Sequence, residues 1–314
     1  MDNSKGVYAK LVLAMIMLGS NSTASKVILT QIPPVTASLF RFSLMTVILL
    51  LYLGLFEQLP IPKRSDLLSF FAMGFTGVYL NNIFWLVGVK YSTAANASLI
   101  NAIYPGMTAI FLFFLFKETL QKLKVIGILL SLLGVVVIVS KGSLAVILGL
   151  SFNLGDIFLL LTAITWPLYT IINLRLSVNY SPIVTTAYSG LVGSILFLPT
   201  ALLMDSSPTR LASISFPVLL SLLCYSLLGG VLSYIWWNQG VAKLGSNRAA
   251  VFMNLVPLVG IIFAVFLLGE HIVLSQIAGG VLSISGIIVA NISGKNKISV
   301  VNDEVIGSVR IWKR

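Results

Sequence analysis

Residues 77–106 read GVYLNNIFWLVGVKYSTAANASLINAIYPG, and residues 229–258 read GGVLSYIWWNQGVAKLGSNRAAVFMNLVPL. Aligned at a shift of 152 residues, Trp85 falls on Trp237, Gly88 on Gly240, Val89 on Val241, Ala97 on Ala249 and Pro105 on Pro257. The register runs without a gap from Gly77 to Gly142 against Gly229 to Gly294. It adds Phe111 with Phe263, Phe114 with Phe266, Glu118 with Glu270, Gly127 with Gly279, Ser131 with Ser283 and Gly134 with Gly286. Shared Leu and Val would mean little in an apolar chain, but Trp, Pro, Glu and several Gly in one register mark a duplicated unit.

The composition says where that unit resides. Of 314 residues, 58% are hydrophobic and 9% charged, against roughly 25% charged in a soluble domain, and the mean hydropathy is +1.02. The apolar residues come in runs near 20, enough for a helix to cross a ~30 Å hydrocarbon core. A β-barrel would alternate apolar and polar residues, and Phe111 to Phe116 or Gly127 to Val139 do not. The single Cys224 excludes an internal disulfide, and no zinc or redox chemistry is indicated.

Cutting at charged or Pro/Gly-rich punctuation gives spans at 8–28, 35–55, 67–89, 93–115, 123–140, 154–174, 182–203, 215–241, 247–268 and 272–292. With the N-terminus inside, fifteen of the 20 Lys and Arg fall on inner segments. They include Lys63, Arg64, Lys117, Lys122, Lys124, Lys243, Arg248 and the tail cations. Lys26, Lys90, Lys141 and Arg210 fall outside, and Arg41 within a span. The positive-inside bias therefore predicts both termini in the cytoplasm. The net charge of +11 is a topology signal, and nucleic acid is not expected as a partner. Five spans per unit is an odd number, so the second copy must enter the membrane from the opposite side. The predicted fold is an all-α integral membrane protein of ten transmembrane helices in two inverted five-helix repeats, residues 1–142 and 143–294, with a cytosolic tail at 295–314. Inverted repeats are an architecture of secondary transporters, whose substrate site lies between the halves.

These residues resemble a known family. Gly19-Ser20-Asn21, Pro34 with Arg41-Phe42, Ala94 to Ala97, Pro105 through Phe111 to Lys117-Glu118, Pro257 to Gly269-Glu270, and Gly127 with Gly134 are similar to the drug/metabolite transporter superfamily, in particular its ten-helix EamA members. The resemblance covers about residues 8–293. One departure is Leu18, where the family's pattern commonly has Trp. The resemblance implies a bacterial inner-membrane exporter of amino acids or other metabolites.

Polar residues inside the spans name the candidate site. Asn81 and Asn82 precede Trp85 by four and three residues and can share one broad helix face, and Tyr234 precedes Trp237 and Asn238 by three and four. Asn101 and Tyr104 follow one face of the fourth span, whereas Asn96 points elsewhere. Asn254 on the ninth span, Asn21 on the first, and Trp166 with Tyr169 on the sixth complete the set. Either these line a pocket, or the amides join helices and the aromatics form interfacial belts. An aromatic-walled, amide-lined pocket suits an amphipathic or zwitterionic metabolite such as an amino acid. Arg41, about 10 Å into its span, either snorkels or ties helices together, or it faces a substrate carboxylate. Pro105 and Pro257 are repeat mates that interrupt helices beside the polar stretch, and are candidate hinges.

All nine carboxylates fall in tails, loops or span ends, so ion coupling through a midplane carboxylate is not expected. No nucleophile–base set or metal cluster appears, so neither catalysis nor a cofactor is expected. The predicted function is alternating-access export or exchange of small metabolites, amino acids first, by a monomer or homodimer in the lipid bilayer. The alternatives are a broad-specificity exporter of drugs or cations, a lipid-modifying membrane enzyme, and a channel.

Overall fold

The computed structural model describes residues 3–57, 61–116, 122–149, 152–204 and 214–292, and among them every regular element is helical. The expected tail, 295–314, and the loop residues Lys117, Glu118 and Arg210 lie outside the described residues. The long helices are α1 (Asn3–Ile28), α2 (Pro34–Phe56), α3 (Arg64–Tyr91), α4 (Ala94–Leu115), α5 (Lys122–Val139), α6 (Leu154–Leu176), α7 (Pro182–Met204), α8 (Phe216–Leu244), α9 (Arg248–Leu268) and α10 (Leu274–Ile292). Among the described residues nine of these, α1 to α9, are long and apolar enough to cross a membrane. The tenth expected span is α10, apolar over Leu274–Ala290. Exposed Leu55, Phe114, Leu129, Leu202 and Phe266 face outward, which in water would be a liability and in lipid is the expected surface.

Local chemistry sets the helix ends. Pro34 occupies the first position of α2, where its missing N–H costs nothing. Thr93 caps α4 by accepting from Asn96 N at 3.0 Å, and Asn153 caps α6 by accepting from Gly155 N at 2.7 Å. Gly269 ends α9 at φ 67°, a left-handed conformation that lacks a Cβ penalty.

Helix irregularities fall within one residue of each other under the 152-residue shift. A π-helical turn at Gly74–Leu80 in α3 has its counterpart at Leu227–Leu232 in α8. A 3-10 turn at Asn101–Ile103 in α4 is matched by Phe252–Asn254 in α9. The 3-10 turns come just before Pro105 and Pro257, whose rings cannot donate to the carbonyl four residues back. In α4 Tyr104 N–H donates to Asn101 O instead. The candidate hinges thus lie at the junction of two helical geometries.

Packing interlocks the two halves of the chain. Helix α1 packs on α8 and α9, whereas α6, its counterpart, packs on α3 and α4. The mates α2 and α7 pack on each other, as do α5 and α10. At the α5–α10 crossing Ser131 Oγ and Ser283 Oγ are 3.0 Å apart. A Cβ on Gly127 would meet the Gly286 carbonyl, and one on Gly134 the Gly279 carbonyl; the reverse contacts also hold. The two helices therefore run antiparallel at backbone contact, a geometry that requires glycine at these positions.

Asp156 refines the expectation for carboxylates. It lies in the first turn of α6, as a span-end residue, yet is fully buried. Ser92 Oγ donates to its Oδ1, Asn96 Nδ2 lies 3.2 and 3.3 Å from its two oxygens, and Gln276 Nε2 donates to Asn96 Oδ1 at 2.7 Å. Asn96 thus points away from the candidate pocket, as expected. Glu270 accepts from Ala94 N and Ala95 N at 2.9 and 3.0 Å, capping α4 from the other copy. Asp156→Ala would leave the Ser92 and Asn96 donors unpaired, at about 1–3 kcal/mol. Its thermal midpoint in detergent should fall, and an unchanged midpoint would deny the network a structural role.

Candidate functional site

The π turns and the 3-10 turns bring side chains from seven helices to one place. Leu18 and Asn21 of α1, Arg41 of α2, and Asn81, Asn82 and Trp85 of α3 form one part of the wall. Asn101 and Tyr104 of α4, Trp166 of α6, Tyr225 and Tyr234 of α8, and Met253 and Val256 of α9 complete it. The space is about 50 Å³, room for a few waters, whereas small-molecule pockets run to ~300 Å³ or more. A metabolite enters only if the walls separate.

Arg41 dominates the electrostatics. It is 2% exposed, so it does not snorkel. Its Nη1 donates to Asn82 Oδ1 at 3.2 Å, its Nη2 donates to the Gly229 carbonyl, and its guanidinium lies 3.7 Å from the Tyr225 ring centroid. Buried Nε has no hydrogen-bond partner among the described residues. Carbonyl dipoles and a ring face, the latter worth up to ~2 kcal/mol when desolvated, thus stand where a carboxylate partner would offset the several-kcal/mol desolvation of a buried cation.

Other wall groups divide into satisfied and unsatisfied. Asn81 Nδ2 donates to Thr165 Oγ1 at 2.9 Å, Tyr104 OH to Thr162 Oγ1 at 2.7 Å, and Trp85 Nε1 to Ser25 Oγ at 3.1 Å. Asn101 Oδ1, Trp166 Nε1 and Tyr225 OH are buried without a partner among the described residues. The cavity therefore presents two ring-borne donors, one amide acceptor and one cation.

Of the residues expected from the sequence, Asn21, Arg41, Asn81, Asn82, Trp85, Asn101, Tyr104, Trp166 and Tyr234 line this cavity. Tyr169, Trp237, Asn238 and Asn254 are not in its wall. Tyr169 and Trp237 stand behind Trp166, with ring centroids 5.3 and 5.9 Å from it, and Asn238 Nδ2 donates to Tyr169 OH at 2.9 Å. Tyr225 was not anticipated. Nine residues at 100° each would put it opposite Tyr234 on a plain α-helix; the π turn between them rotates less per residue and returns both to one side. A search for Gly-rich breaks within α8 was the available signal.

A larger hollow of about 410 Å³ lies at the loop ends, lined by Glu57, Ile61, Lys63, Asn179, Tyr180, Ser181 and Val184. There Tyr180 OH donates to Asp66 Oδ2 and accepts from Lys63 N, each at 2.9 Å. Burial pushes the Tyr180 hydroxyl above its ordinary pKa, and Asp66 adds to this. This hollow lies beside a loop tie and lacks the convergent buried polar atoms of the central cavity.

Comparison with known proteins places this geometry. The model of the EamA-like transporter family matches residues 6–140 and 153–292. The uncharacterized transporters YyaM and YetK of Bacillus subtilis are 29% and 30% identical, over 91% and 92% of this chain and 93% and 88% of theirs. A probable amino-acid metabolite efflux pump of Salmonella typhimurium is 27% identical over 91% of this chain and 94% of its own. One crystal structure, at 16% identity, superposes with a TM-score of 0.66 over 92% of this chain and 97% of that one, which shows a shared fold.

Proposed function

The chain belongs to the EamA-like transporter family, and we propose that it is an alternating-access carrier that exports or exchanges amino acids. The family and the helices point to a multi-pass membrane transporter rather than an enzyme. The observation that carries the substrate is Arg41, a buried guanidinium without a carboxylate partner among the described residues, facing an amide- and aromatic-walled cavity. A substrate carboxylate would take its free Nε–H and displace the weaker Gly229 carbonyl in a charge-assisted pair. The unpartnered Asn101 Oδ1 would accept from the ammonium, and the rings of Tyr104, Trp166 and Tyr234 would hold the apolar side chain. The same cation repels positively charged drugs, which disfavours that alternative.

The reciprocal contacts of α5 with α10, and the exchange of α1 and α6 between copies, support two halves related by a pseudo-two-fold axis in the membrane plane. On this reading residues 1–142 and 143–294 are inverted units in a bacterial inner membrane, with both termini cytoplasmic, and Pro105 and Pro257 flex as the halves rock. Counterflow of radiolabelled amino acids in liposomes, with and without a proton gradient, tests the proposal. Saturable exchange that ignores the gradient is expected. Single-channel currents, or no flux from folded protein, would refute the carrier.

A further inference from the structure

Three aromatic rings, Tyr104, Trp166 and Tyr234, close one side of the cavity, and Tyr169 and Trp237 stand behind Trp166. Trp166 is 6.4 Å from Tyr104, 5.3 Å from Tyr169, 5.4 Å from Tyr234 and 5.9 Å from Trp237, centroid to centroid. Behind this layer lies a second set of polar atoms that the cavity does not reach. Asn238 Oδ1, Trp237 Nε1, and both Oδ1 and Nδ2 of Asn173 are buried without a hydrogen-bond partner among the described residues. Asn173, Trp237 and Asn238 are each at most 1% exposed. Asn173 lies one turn beyond Tyr169 on the same face of α6, and about 10 Å beyond Trp166 along the helix. Asn238 is held in place through Nδ2 by Tyr169 OH and Thr186 Oγ1, each at 2.9 Å, which leaves its carbonyl oxygen unengaged.

Buried polar atoms are almost always paired, so an orphaned amide at full burial calls for a partner beyond the protein's own groups. We infer that Asn173, Trp237 and Asn238 form a second polar station on the substrate path, which receives the substrate's ammonium and carboxylate once the aromatic layer parts. This rests on the transport reading above and adds to it a route, running from the cavity past Trp166 toward the C-terminal end of α6. The station has two donors, Trp237 Nε1–H and the Asn173 amide, and two acceptors, the carbonyls of Asn173 and Asn238. That complement fits a zwitterion in transit but carries no charge to trap it, as an intermediate stop requires.

The test is Asn173→Leu, because this side chain has no hydrogen bond to lose and leucine has the same number and branching of side-chain heavy atoms. Three quantities are read on purified protein: thermal midpoint in detergent, equilibrium amino-acid binding, and counterflow in liposomes. An unchanged or raised midpoint, binding within about threefold of wild type and counterflow reduced at least tenfold are expected, with Asn173→Gln restoring most of the flux. Counterflow equal to wild type would overturn the station. So would a lowered midpoint that accounts for the lost flux, since Asn173 would then be a structural residue. If wild-type vesicles themselves move no amino acid, the transport reading fails and the station with it; active wild-type vesicles with an unaffected N173L defeat the station alone.

Discussion

Arg41→Met should reduce amino-acid binding and counterflow on the order of 10²–10³-fold while leaving the protein folded. Losing a buried charge-paired hydrogen bond costs about 2–5 kcal/mol, and each 1.4 kcal/mol is tenfold. The fold tolerates the change because little else depends on the guanidinium. The Gly229 carbonyl still accepts from Ser233 Oγ at 2.7 Å, and Asn82 Nδ2 still donates to Val78 O at 2.9 Å. Methionine also fills the space against the Tyr225 ring and removes the desolvation cost of the charge. Arg41→Lys keeps the charge but loses the planar fork and the ring stacking, so it should fall between the two. Wild-type binding in R41M would remove the carboxylate anchor altogether.

Gly134→Leu should have the largest effect on stability. A Cβ there meets Gly279 O, Ser283 N and the Ser283 Cα, all backbone, so no side chain can yield. Overpacking typically costs 1–3 kcal/mol even where side chains can move, and here α5 and α10 would have to part. A fall of many degrees in the detergent melting midpoint is expected, with loss of a single size-exclusion peak, and the reciprocal Gly279→Leu should match it. Gly54→Ala is the control: beyond its own helix backbone nothing lies within 4 Å of an added Cβ, and helix propensity alone predicts an equal or slightly higher midpoint. A G134L midpoint equal to that of the control would show that the crossing is not tight.

Helix positions were legible in the sequence because each span is an apolar run closed by charge, proline or glycine. The expected 154–174 and 182–203 became Leu154–Leu176 and Pro182–Met204. A 3-10 turn stands shortly before each of Pro105 and Pro257, within one residue of the 152-residue shift. The site was legible in part. Asn81, Asn82 and Trp85 converge as a helical face requires, with Asn82 bonded to Arg41. Trp237 and Asn238 were assigned the same wall because repeat equivalence with Trp85 places residues in matching helices. It does not say which face of the cavity's lining they reach, and Trp166 and Tyr234 stand in front. Asp156 was invisible as a buried group for a related reason. Its neighbours Ser92, Asn96 and Gln276 come from three other segments, and their closure over it is a property of packing.

The most direct measurement is competition in wild-type vesicles, in which a free amino acid and its uncharged-carboxyl amide are each tested against counterflow of a labelled amino acid. Both carry the ammonium and the same side chain, and they differ in the group assigned to Arg41. Strong inhibition by the acid with at least tenfold weaker inhibition by the amide is expected. Equal inhibition by the two would contradict recognition of a substrate carboxylate by Arg41.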